Sequence, residues 1–103
     1  MPTMIPGQYL TLNAQPLLNG VPGGALSGLI MWSHNANLIS ITPTLTPSMD
    51  TLTCSLFIPN TTTNFGSFSV FANCGTLSAS IIVLVQSPIP PANGLQITAG
   101  TPS

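Results

Sequence analysis

Proline and glycine interrupt this chain too often for a helix of useful length to form. Eleven prolines and nine glycines are spread through 103 residues. With the Ser and Thr clusters they punctuate the chain at roughly eight-to-twelve-residue intervals, the spacing of short strands in a sandwich or barrel. No stretch repeats its apolar residues at the helical period, whereas several alternate at period two. The alternation predicts strands over 9–15 (Leu10, Leu12 and Ala14 inward), 29–33 (Ile30, Trp32) and 38–42 (Ile39, Ile41). It predicts three more over 51–58 (Leu52, Cys54, Leu56, Ile58), 68–74 (Phe68, Val70, Ala72, Cys74) and 77–85 (Ala79, Ile81, Val83, Val85). Residues 43–49 read as a loop, and Asn19-Gly20 and Gly23-Gly24 as turns in a long connection. The expected fold is therefore all-β, with the inward set forming a core between two sheets.

Charge decides what such a chain can bind. There is no Lys or Arg, and Asp50 is the single acid. Nucleic-acid binding and attraction to anionic membranes both need cations that are absent here. No apolar run reaches the roughly 18 residues that span a bilayer. The first residues, MPTMIPGQYL, lack the basic and apolar regions of a secretory signal, which leaves a removed signal or release without one, as for virion proteins freed by lysis. A nearly neutral surface offers little repulsion between copies and so favours association. The plainer reading is a soluble surface of Ser, Thr, Asn and Gln.

Three stretches, GQYLTLNAQP, LIMWSHNANLISITPT and GSFSVFANCGTLSASIIVLV, resemble the group 2 bacterial immunoglobulin-like domain of intimin- and invasin-like adhesins and of many phage virion proteins. Gly7, Leu10, Leu12, Ala14, Trp32, Ser33, Ile41, Phe68, Ala72, Ala79, Ile81, Val83 and Val85 fall on that family's pattern. The resemblance runs from Gly7 to Val85. It implies an immunoglobulin-like β-sandwich of about seven strands. It is weak for function, because such domains serve as spacers, decorations and binding modules alike.

One departure from the family pattern concerns the first strand. Only MPTMIP precedes Gly7, and two prolines in six residues make a poor central strand. The body, residues 1–86, is thus expected to lack its first strand. A Pro-rich spacer (87–93) and a strand-like tail (94–103) follow, with Leu95, Ile97 and Ala99 on one face as candidate anchors. The tail can fill the vacancy in its own body, fill that of a neighbour, or remain unpaired. A first strand starts at the pole opposite to the end of the last one, about 25 Å away. The eight residues 86–93 span at most about 27 Å when stretched. Pro88, Pro90 and Pro91 stiffen them as extended polyproline II. That geometry favours donation to a neighbour by strand addition.

Other side chains carry further expectations. Met31, Phe71, Ile82 and Leu84 alternate outward and form a candidate interface patch, against the alternative of scattered surface hydrophobes. Cys54 and Cys74 both point inward at one pole. A disulfide is expected there if the protein works in a virion or outside the cell, and two buried thiols otherwise. Asn60-Thr61-Thr62 matches a glycosylation sequon, for which chance in a Thr-rich chain is sufficient explanation. Catalysis has only His34 and Asp50 for proton transfer and no nucleophile elbow. No enzyme activity, cofactor or metal site is expected. The expected function is a structural subunit of a virion surface or extracellular filament, partnered by copies of itself or a larger assembly. The alternative is an adhesin module on a cell surface that recognises a carbohydrate or receptor.

Overall fold

The computed structural model describes residues 1–88 and 92–102. Among them the regular elements are nine strands and one 3-10 turn. The strands are β1 (Thr3–Met4), β2 (Tyr9–Asn13), β3 (Leu17–Leu18), β4 (Val21–Pro22), β5 (Met31–His34), β6 (Thr44–Pro47), β7 (Thr53–Phe57), β8 (Gly66–Cys74) and β9 (Leu77–Val85). One sheet has the order β1-β9-β8-β5 and a second the order β2-β7-β6, while β3 and β4 form a separate hairpin. All pairs are antiparallel except β1 with β9, which run parallel.

A single apolar cluster joins the two main sheets. It takes Met4, Phe68, Val70, Val83 and Val85 from the first and Leu12 and Leu56 from the second, with Ala36, Ile41 and Ile58 from the connections. Trp32 packs against its margin. Its indole N–H donates to the Thr51 carbonyl at 2.9 Å, which gives the ring's one polar atom a partner.

Five of the predicted strands are present, 77–85 with the expected ends and the other four with shifted ones; the strand expected at 38–42 is not. A 3-10 turn occupies Ala36–Ile39, and Ser40 follows it with φ 58°, in the left-handed region. Asn35 fixes this turn: its side-chain Oδ1 accepts the Ser69 amide at 2.7 Å and its own amide donates to the Ser69 carbonyl. The strand comes later, at β6, in the segment expected to be a loop. Pro43 precedes it and Pro47 is its last residue, and the two conceal it in the sequence. At the margin of the β2-β7-β6 sheet a proline need not donate to a ladder.

The N-terminus forms a two-residue strand at a sheet edge rather than a central one: Thr3 and Met4 pair with Leu84 and Val85, and Met4 is buried in the core. Pro2 takes part by accepting from the Leu84 amide at 2.9 Å, a role that needs no N–H. The spacer expected at 87–93 falls partly on residues 89–91, which lie outside the described residues, as does Ser103.

Candidate interaction site

β1 covers only the end of β9. Its two residues stop at Leu84, and from Leu77 to Val83 no strand among the described residues lies on that edge of β9. β2 has β7 on one side and, among the described residues, no strand on the other. The Ala14 amide donates to the Leu52 carbonyl, and the Gln8 carbonyl accepts from Ile58. Even-numbered residues of β2 therefore face β7. By the alternation of an antiparallel ladder, the backbone groups of Tyr9, Thr11 and Asn13 face the open side.

The two open edges border a groove of about 450 Å³. Leu10 and Leu12 of β2 form one wall, Trp32 and Val70 the floor, and Ala79 and Ile81 the other wall. The first half of β9 shows that this region lacks a cover. Ile81 shares the inward face with Val83 and Val85, yet Ile81 is 39% exposed while they are 0% and 1%. Ala79, on the same face, is exposed as well. Sequence reasoning assigned these side chains to the core. It got their face right and missed that, among the described residues, no strand covers them. The one signal was the run Ser78-Ala79-Ser80, whose small side chains fill little space.

The tail makes no strand with its own body among residues 92–102. Leu95 and Ile97 are 101% and 96% exposed, and Ala99 is exposed too. The chain reaches 80 Å along its longest axis against 27 and 21 Å along the others. Apolar side chains in water at this level are costly to leave uncovered.

The outward residues Met31, Phe71, Ile82 and Leu84 do share one face of the β9-β8-β5 sheet. Met31 and Ile82 are exposed, Phe71 and Leu84 half-buried. Serines separate them: Phe71 stands between Ser33 and Ser80, and Ile82 and Leu84 oppose Ser69 and Ser67. The patch is therefore dilute, and the groove is the more concentrated apolar feature.

The expected disulfide is not formed; Cys54 and Cys74 are free, buried thiols. They lie in different sheets. The Cys74 thiol donates to the Gly28 carbonyl at 3.4 Å, and the Cys54 thiol approaches the Ser55 carbonyl at 3.9 Å. Burial pushes the Cys54 thiol above its ordinary pKa. His34 and Asp50 are each engaged locally. His34 Nδ1 accepts the Ala36 amide at 3.1 Å. Asp50 Oδ1 accepts the Ser48 hydroxyl at 2.7 Å and the Leu52 amide at 3.1 Å, and these bonds, the Ser48 one first, lower its pKa. Asp50 adjoins Thr51, which is bound to Ile30 just before β5, while His34 ends that strand. The two are thus not brought together as an acid–base pair.

Comparisons with family models, with curated proteins and with solved structures find no match to this chain.

Proposed function

We propose that this chain is a non-enzymatic structural subunit, an immunoglobulin-like sandwich that assembles with copies of itself on a virion surface or in an extracellular filament. The order β2-β7-β6 opposite β5-β8-β9 supports the immunoglobulin-like reading. It corresponds to the B-E-D and C-F-G strands of that fold, with the place of strand A, beside B, unfilled among the described residues. The observation that carries the functional reading is the coexistence of an apolar groove and an exposed apolar tail on a chain with a single acid and no Lys or Arg. Two such surfaces meet without desolvating charge, the usual cost of burying ionic groups.

Sedimentation of the full chain over a wide concentration range tests this reading. Assembly predicts mass rising with concentration and little response to sodium chloride, since no ion pairs need screening. A monomer at every concentration that binds a glycan would instead support the adhesin-module reading.

A further inference from the structure

We infer that the groove beside β2 is an acceptor site for the tail of a second copy, which adds as a strand along the open edge of Tyr9, Thr11 and Asn13. The inference rests on the assembly reading above and names the surfaces that perform it.

Side-chain pattern and groove correspond. Leu95, Ile97 and Ala99 fall on one face of an extended segment, with Gln96 and Thr98 on the other. A strand hydrogen-bonded to β2 lies in the β2-β7-β6 sheet, so its inward face lands on the opposite sheet where Ile81 and Ala79 are uncovered. The three apolar side chains then close over Trp32, Val70, Ala79 and Ile81, and the polar pair faces water. Backbone bonds to the edge supply affinity and the alternate side chains supply register. Neither partner brings a charge: Asp50 and His34 are outside the groove lining.

Chain geometry assigns the tail to a second copy. β9 leaves the body at Val85, beside Met4, close to the start of β2. If the added strand keeps the antiparallel direction of both ladders in the β2-β7-β6 sheet, it must begin at the other end of β2, near Asn13. The chain's own tail would have to reverse and travel back along the roughly 17 Å of β2 first, and instead it stands clear of its own body, with Leu95 and Ile97 fully exposed. A neighbour's tail enters from the Asn13 end directly. Such a contact joins different surfaces on the two copies, so it propagates into a ring or filament.

Complementation between two variants tests the proposal. Ile97→Asp spoils the donor; the residue is almost fully exposed, so the body keeps its fold. Thr11→Pro removes the amide at the middle of the open edge, a position where proline is tolerated in a free strand. Ala79→Asp, also at an exposed position, is a second acceptor variant should Thr11→Pro fail to fold by circular dichroism. Each variant alone is expected to sediment as a monomer of 10.6 kDa. An equimolar mixture of one donor and one acceptor variant is expected to form a dimer and nothing larger, because only one productive contact remains. If the single variants assemble as the unaltered chain does, the tail–groove contact is overturned while self-assembly stands through another surface. If the unaltered chain is itself monomeric at all concentrations, both readings fail.

Discussion

Thr51 Oγ1 accepts the Ile30 amide at 2.7 Å, bridging residues 21 apart in the chain. The same hydroxyl donates to the Asp50 carbonyl at 2.7 Å, and the Thr51 carbonyl accepts from the Trp32 indole N–H. One residue therefore ties the turn before β7 to the strand of the opposite sheet. It does so from a left-handed backbone, φ 59°, a conformation that a β-branched residue adopts only when its surroundings hold it there.

Thr51→Ala should cost about 1–3 kcal/mol, because it leaves the buried Ile30 amide without its acceptor. Trp32→Phe should cost about 1 kcal/mol by removing the donor to Thr51. Urea unfolding of the two single variants and the double variant checks both, and the double variant should cost less than the sum, since both side chains secure the same turn. Strict additivity would argue against the shared role of Thr51.

The state of the two cysteines is open to direct titration. Free, buried thiols predict almost no reaction with a thiol reagent in the native protein and two equivalents after unfolding, both measured without reductant. No reactive thiol after unfolding would mean that a bridge forms in the isolated protein.

Acid should weaken the fold slightly through Asp50. Its pKa is lowered in the folded chain by the Ser48 hydroxyl and the Leu52 amide. The stabilisation is therefore present above the ordinary carboxylate value of 3.8 and is lost as pH falls through the depressed folded value. Asp50→Asn should flatten that decline in thermal midpoint below 3.8. An unchanged acid profile in the variant would remove Asp50 as its cause.

Much of the fold was legible because alternation is a local property. Val70, Val83 and Leu56 declare their face in the sequence and are buried as expected. What was hidden depended on partners distant in the chain. Prolines 43 and 47 disguise β6 because its tolerance for them comes from lying at a sheet margin. Thr3 and Met4 become a strand only because β9 offers them an edge. Likewise Leu95 and Ile97 stood out as a solitary apolar alternation. The resemblance pointed to a missing first strand, but Ala79 and Ile81 as the uncovered wall were illegible, since their alternation does not show what lies across from them.

Amide exchange at Thr11 reads the contact between tail and groove at the backbone itself. In the unaltered chain at assembling concentrations, the Thr11 amide should be bonded to a neighbour's tail and exchange slowly, with Tyr9 and Asn13 following it. In Ile97→Asp at the same concentration all three should exchange at the rate of an open edge, while the Leu10 and Leu12 amides, bonded to β7, stay protected. Equal exchange at Thr11 in the two proteins would contradict the account.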